Sequence, residues 1–377
     1  MDDPAAWSRL AVDGTARAGT LSLAHGVVPT PAFMPVGTRA AVRSIDVDDL
    51  ATVGADIVLA NTYHLMLRPG HRLVAELGGL HEFMAWRRPI LTDSGGYQIL
   101  SLDPEITEEG AAFRSTYDGS SAHLTPEKAV EVQDALGADV AMVLDVCLSL
   151  PSPRPALVEA MERTLRWGER ALAAHQRPDQ ALFGIVQGGT DLELRAESAA
   201  RTAALDFPGF GIGGLSVGES PEERDTAIAA AVAELPEGKT RYVMGLGDPE
   251  GVLDAIALGA DLFDCVWPTR LARHGRVLGP RGDFNLRRAQ FADDPGPLQE
   301  GCPCPTCRNH SRAYLRHLLV TKELSIHRLL TNHNLTYTLG LLAQARQAIV
   351  DGTFDNFRTT VRAQRSGGGL VGDQSNP

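Results

Sequence analysis

Asp261-Leu262-Phe263-Asp264-Cys265-Val266-Trp267-Pro268-Thr269-Arg270 is the stretch on which the reading of the fold turns. Leu262, Phe263, Cys265, Val266 and Trp267 form an apolar run of strand length, interrupted by one carboxylate, Asp264. Pro268 has no N–H to give to a sheet ladder and is expected to end the strand. Arg270, Arg273, His274 and Arg276 follow at once. An acid at a strand end, with cations just beyond it, suits attack on a substrate whose flanks carry phosphate. The alternative is an edge-strand Asp satisfied by a neighbouring Arg.

Seven further apolar runs precede this one: Ala32–Val36, Asp56–Ala60, Ile90–Asp93, Val140–Asp145, Leu182–Gln187, Gly209–Leu215 and Arg241–Leu246. Helix-like stretches lie between them, among them 126–136, 156–174, 192–204, 221–234 and 249–258. Strands alternating with helices imply βαβ units and a parallel sheet. Eight such units over about 250 residues suit a (β/α)8 (TIM) barrel better than an open doubly wound sheet. The GxGxxG fingerprint that would favour a Rossmann fold is missing. Residues 1–270 are assigned to the barrel, 271–345 to an inserted or appended metal-binding subdomain, and 346–377 to a C-terminal helix and tail. Residues 101–124 read as a hairpin or lid after the third strand, and the Gly- and Ser-rich stretch from Arg365 onward is expected to fray.

Barrel chemistry collects where strands end. The predicted ends carry Asn61-Thr62-Tyr63-His64, Asp93-Ser94-Gly95-Gly96-Tyr97-Gln98, Asp145 with Cys147 beyond, Gln187-Gly188-Gly189, residues 213–219, Met244 and Asp264. Two of these acids, Asp93 and Asp264, suit the division of labour of retaining glycosyl transfer, one as nucleophile and one moving protons. For Asp93 alone a capping or turn role before Ser94-Gly95-Gly96 fits as well. Asp145 and Gln187 offer an acceptor and an amide to a planar base. Gly213 and Gly214 allow close backbone approach, and Tyr97 and Met244 offer stacking surfaces.

The 377 residues carry a net charge of −12, so any nucleic-acid partner must meet a local basic face. From Arg270 to Arg328 there are eleven Lys and Arg against five Asp and Glu, an excess of six, which suits phosphate contacts. No run of 18 apolar residues is present, no signal peptide is evident at the start, and the cytoplasm is the expected location. Cys302-Pro303-Cys304-Pro305-Thr306-Cys307 with one histidine would make a closed Cys3His set, the composition of a structural zinc site. His333 is the leading fourth ligand; His310, His317 and His327 compete.

These motifs together resemble the bacterial tRNA-guanine transglycosylase family, also called queuine tRNA-ribosyltransferase. The resemblance runs from about residue 31 to about 342. It is carried by residues 61–65 and 68–70, 91–98 (LTDSGGYQ), 184–189 (GIVQGG), 213–219 (GGLSVGE), 263–270 (FDCVWPTR), and the Cys run with His333. It implies a pentosyltransferase, a homodimer, that exchanges guanine at the first anticodon base of tRNAs with GUN anticodons for the 7-deazaguanine preQ1. It further implies Asp264 as nucleophile at the ribose C1′, Asp93 as general acid/base, and Asp145, Gln187, Gly214 and Leu215 as base readers. Tyr97 and Met244 would sandwich the base, and Arg270 and Arg273 would contact flanking bases. Cys302, Cys304, Cys307 and His333 would hold one structural Zn2+ per subunit. Val217 and Cys147 match the preQ1-inserting members. Three positions depart from the common pattern: Val146, Ala40 and Asp248, the last expected to weaken a tRNA contact. A non-catalytic tRNA-binding subunit of the same fold is the competing reading; a metal-dependent barrel hydrolase would need an HxH pair on an early strand, which is absent.

Overall fold

The eight expected strands close on themselves. In the computed structural model, which describes residues 3–367, they are β1 (Ala32–Gly37), β2 (Val58–Ala60), β3 (Ile90–Thr92), β4 (Val140–Met142), β5 (Ala181–Val186), β6 (Gly209–Ile212), β7 (Thr240–Val243) and β8 (Leu262–Cys265). Each pairs in parallel with its neighbours, and the ring closes where β8 meets β1, with Leu262 beside Ala32 and Phe263 beside Phe33. Helices follow strands as the periodicity predicts, and those at Pro126–Leu136 and Pro221–Glu234 match the expected bounds. Both are opened by a side-chain cap, Thr125 and Ser220, with proline in the first turn. The strand bodies are buried throughout β2 to β7, and Phe33, Met34, Phe183, Phe210, Tyr242 and Phe263 are among the residues filling the interior. A parallel barrel of this kind directs every strand's C-terminal end to one face.

Pro268 behaves differently from expectation. The strand stops at Cys265, and Pro268 lies in the first turn of a helix, Trp267–Arg273, where its missing N–H has no partner to lose. Residues 101–124 do form antiparallel strands, Glu105–Ile106, Ala111–Arg114 and Ser121–Leu124. Arg365 does not begin a frayed tail. It is buried in the helix Phe354–Gly367 and bonds Glu250, Asp283, the Gly279 carbonyl and the Tyr337 hydroxyl. The rest of the expected tail, 368–377, lies outside the described residues.

A three-stranded antiparallel sheet, Ala6–Asp13, Ala16–Leu23 and Gly26–Thr30, has no counterpart in the sequence reading. Two buried aspartates tie it to the strand starts. Asp139 accepts the His25 and Ile90 N–H groups, each at 2.8 Å, and the His25 ring at 2.9 Å. Asp261, the first residue of the quoted stretch, takes both arms of the Arg17 guanidinium and the Arg241 N–H. Asp261 has no exposed side chain and Arg17 5%. Removing one partner of a buried pair leaves an uncompensated charge. Arg17→Met is therefore expected to lose about 3–5 kcal/mol of stability in urea titration; an unchanged midpoint would mean that Asp261 is held by its backbone contacts alone.

Candidate active site and metal centre

A cleft of about 380 Å3 opens at the strand C-terminal face, lined by residues from the ends of all the strands but β5. Asp93 and Asp264 both line it, as do Tyr97, Asp145, Gly214, Leu215, Met244 and Arg270. Gln187, at the end of β5, enters through Asp145, donating its Nε2 to the carboxylate at 2.6 Å. Cys147 and Val217 also line the cleft. Arg273 is not among the lining residues; it sits one helical turn beyond Arg270.

Asp93 lies just past β3, and three donors converge on it: the Thr62 N–H at 2.9 Å, the Gly95 N–H at 3.2 Å and the Asn61 side-chain amide. The Gly95 contact is a local Asx turn, so the turn role that the sequence suggests for Asp93 is real. It coexists with a place in the cleft. Burial drives the Asp93 carboxyl up to about 7, with the charge of Asp264 pushing the same way against the Thr62 and Asn61 donors. The two acids are thus electrostatically coupled across one cleft.

Asp264 occupies the third position of β8. Its Oδ1 accepts the Tyr242 hydroxyl at 2.6 Å and the Gly245 N–H at 2.7 Å. Burial raises its pKa, while these donors oppose the shift. Tyr242 lies inside β7, two residues before Met244, and burial holds its phenol well above the usual range, so it remains a donor. The thiols near the site are no rival nucleophiles: burial pushes Cys147 and Cys265 each up to about 12. Sequence reasoning noticed Asn61, Thr62 and Gly245 as strand-end residues but gave them no role, and it missed Tyr242. The available signal was a tyrosine in a buried strand, whose hydroxyl needs a partner.

The base-sized end of the cleft is built around Asp145, driven by burial up to about 6 and held by Gln187 and Ser94. Gly214 sits at φ +67, and an added Cβ there would lie 2.3 Å from the Gln187 Oε1. Only glycine leaves that amide in place. Tyr97 is exposed on the rim and Met244 half-buried below it. Taken around the ring, Asp145, Gln187, Gly214 and Met244 come from strands β4 to β7, while Arg270 and Arg273 follow β8. Arg273 also feels Arg43, in the loop after β1: burial, then the charges of Arg43 and Arg270, hold its guanidinium below the usual range. The three departures resolve individually. Val146 is buried, its N–H bonded to Thr164. Ala40 takes φ +57, a conformation that glycine adopts more cheaply. Asp248 caps the helix Pro249–Ala257 through the Gly251 N–H at 2.7 Å.

The Cys3His set converges. His333 Nδ1 lies 3.6, 3.7 and 3.3 Å from the sulfurs of Cys302, Cys304 and Cys307, and all four residues are buried. Tetrahedral zinc with its usual bond lengths needs S···N edges of about 3.6 Å. His333 Nε2 donates to the Leu278 carbonyl at 2.9 Å, which leaves the Nδ1 lone pair for a metal. The group can therefore hold a metal ion, with a geometry suited to zinc. Among the competing histidines, His310, His317 and His327 do not join it. His333 lies within a 26-residue helix, Ser325–Val350, so a metal would pin the cysteine loop to that helix and not to Arg312–Val320.

A parallel barrel whose mouth buries two coupled carboxylates in one polar cleft has the makings of an acid/base or group-transfer enzyme. The comparisons narrow this. The family model described as queuine tRNA-ribosyltransferase matches residues 13–367. A protein of that name from Symbiobacterium thermophilum is 51% identical over 357 residues, 93% of this chain and 89% of its own. Others from Herpetosiphon aurantiacus (50%, 92% and 88%) and Thermus thermophilus (49%, 97% and 95%) are similar. The chain belongs to the queuine tRNA-ribosyltransferase family and is a pentosyltransferase. No helix among the described residues is long and apolar enough to cross a membrane.

Two outcomes follow from the site. Because the folded pKa of Asp93 exceeds its ordinary value, the native state holds an extra proton between about pH 4 and 7. Asp93 therefore contributes stability that fades as pH rises through that window, and Asp93→Asn should flatten the loss. At pH 8 the variant should gain on the order of 2–4 kcal/mol relative to wild type in urea titrations. Cys304→Ser should release the metal and lower the melting temperature, read by metal analysis and calorimetry, since metal binding and local folding are coupled.

Proposed function

We propose that this protein exchanges guanine at the first anticodon position of tRNAs with GUN anticodons for preQ1, through a covalent ribosyl–Asp264 intermediate. The observation that carries the reading is the pair Asp93 and Asp264 in one cleft, with Asp93 tuned to about 7. Both hydrogen bonds to Asp264 fall on Oδ1, so Oδ2 is the oxygen left to attack C1′. As that bond forms, the C1′–N9 bond breaks, and protonated Asp93 gives its proton to the departing guanine. Asp93, now a carboxylate, takes the proton from the incoming base, which attacks C1′ and frees Asp264. Two inversions retain the configuration. A poise near neutrality serves both directions of proton transfer.

Asp145 accepts donors of the base edge, Gln187 holds Asp145 and offers its amide, and Gly214 and Leu215 bring backbone groups to the base. Tyr97 and Met244 enclose its faces, and Arg270 and Arg273 contact the neighbouring nucleotides. Carbon in place of N7 removes a protonation route to departure, which makes insertion of a deazaguanine a one-way exchange. Zinc, one per subunit in the Cys302, Cys304, Cys307 and His333 set, organises residues 271–345 and takes no part in the chemistry. A homodimer working in the cytoplasm completes the reading. Asp264→Asn should fold, retain base binding, and yield no RNA adduct on denaturing gels; an adduct that survives would move the nucleophile elsewhere. In the wild type, kcat/KM for preQ1 insertion should change slope near pH 7, and that inflection should vanish in Asp93→Asn.

A further inference from the structure

Cations on the flank of the barrel are mostly spent. Arg154 pairs with Asp191 and Glu193, Arg166 with Glu108, Arg170 with Glu127 and Arg201 with Glu162. On the strand C-terminal rim the pattern reverses. Arg39, Arg43 and Arg68 are exposed, and none has a carboxylate within 4.0 Å among the described residues. Asp46 and Asp49 share a groove with Arg39 and Arg43, but Asp49 is taken by Arg328 and Asn332 and Asp46 caps a helix through the Asp49 N–H.

Two of these arginines share an aromatic support. The Arg39 and Arg68 guanidiniums stand over the Tyr117 ring, 5.4 and 4.9 Å from its centroid. Arg39 comes from the loop after β1, Arg68 from the end of the helix after β2, and Tyr117 from the hairpin after β3. The ring is fixed from behind: its hydroxyl bonds His64 Nδ1 at 3.0 Å, and the adjacent Thr116 N–H donates to the Tyr63 hydroxyl at 3.2 Å. Both cations bear on one ring, and neither has a carboxylate within 4.0 Å among the described residues, so the pair is open to an anion.

We infer that Arg39, Tyr117 and Arg68 form a phosphate clamp for the RNA backbone, on the β1–β3 side of the cleft, beyond the Arg270 and Arg273 contacts. The inference rests on the tRNA reading above and adds a second point of attachment. Arg43, between the two groups, continues the positive track. The clamp reads charge and not sequence, since phosphates are alike at every nucleotide.

The test is fluorescence anisotropy with a labelled anticodon stem–loop RNA, titrated at several salt concentrations. Each phosphate neutralised on a single strand contributes roughly 0.7 to the slope of log K against log salt. Arg39→Gln/Arg68→Gln should lower the slope by about 1.4 and weaken binding about 25-fold at 0.1 M salt. The loss should be equal for stem–loops carrying guanine or adenine at the first anticodon position. Arg39→Lys/Arg68→Lys keeps both charges and should recover most of the slope, which separates a phosphate contact from a folding defect. Tyr117→Leu should weaken binding with a smaller change of slope, because the charges remain but are no longer held. An unchanged slope in the Gln variant, or no recovery in the Lys variant, would overturn the clamp. Incorporation of labelled guanine by the wild type is measured in the same preparation; its absence strikes the exchange reading, whereas the anisotropy result judges the clamp independently.

Discussion

Two carboxylates taken out of water within one cleft are the constraint that the rest of this molecule satisfies. Desolvating an ionised carboxylate costs several kcal/mol, and doing so twice at close range adds repulsion. The fold meets that cost with fixed donors. Asp93 receives two backbone N–H groups and the Asn61 amide; Asp264 receives the Tyr242 hydroxyl and the Gly245 N–H. Hydrogen bonds to a charged group are each worth about 1.5–3 kcal/mol, so the donors offset part of that cost and not all of it. What remains is an upward shift at both acids, to about 7 at Asp93, where the charge of Asp264 adds to burial. The balance leaves Asp93 poised to exchange a proton near neutral pH, the property on which the proposed exchange draws, and leaves Asp264 with one oxygen, Oδ1, engaged by donors.

The ring order of the strands turns this into a division of the barrel mouth. Strands β4 to β7 present Asp145, Gln187, Gly214 and Met244, groups suited to a flat base. The arc from β8 through β1 and β2 to the β3 hairpin presents arginines suited to phosphate. Asp264 and Asp93 close β8 and β3, at the two seams between these arcs. A nucleotide has the same order of parts, base then sugar then phosphate. A ligand laid across the mouth would set its sugar between the two acids without further guidance from the protein. Parallel closure matters here because it alone brings the ends of β3 and β8 into one cleft while keeping base and phosphate groups on separate sides.

Much of this was legible in sequence, for identifiable reasons. The eight strands were readable because buried parallel strands are short apolar runs bounded by Gly and Pro, and their bounds held to within one to three residues. Strand-end acids stood out because a carboxylate ending an apolar run is costly unless used. Residues acting through partners far along the chain were not legible. Tyr242 supports Asp264 across a strand pair and Asn61 supports Asp93 from the neighbouring strand; each shows in sequence as a polar group in or at a buried strand, but its partner does not. Pro268 misled because proline both ends strands and begins helices, and the next turn decides which. Within the cation-rich stretch 270–328, Arg312 pairs with Asp294, one of the acids of that stretch, and Arg328 with Asp49 outside it. The unpaired Arg39, Arg43 and Arg68, scattered among neutral neighbours, left no local excess to notice. The N-terminal sheet was missed because its middle strand, Ala16 to Leu23, is built of small and polar residues whose burial follows from packing and not from pattern.

The Cys3His set, whose residues do not line the cleft, is joined to the cleft's cationic helix through Asn332-His333-Asn334. His333 is the imidazole of the metal set. Asn332 on one side donates to Asp49, on the helix Val47–Thr52 after β1, at 2.9 Å. Asn334 on the other donates to the carbonyls of Pro268 and Arg276 and accepts the Leu278 N–H. Pro268 opens the helix that carries Arg270 and Arg273, and Leu278 supplies the carbonyl that orients His333. Three consecutive residues, Asn332, His333 and Asn334, thus join the Cys3His set, the barrel wall and the cationic helix. A buried asparagine with three backbone contacts has little freedom to move, so fixing His333 fixes the helix. A metal held by this set would therefore bear on the cleft through the backbone: the hydrogen bonds of Asn334 tie the metal-ligating helix to the helix Trp267–Arg273 that carries Arg270 and Arg273.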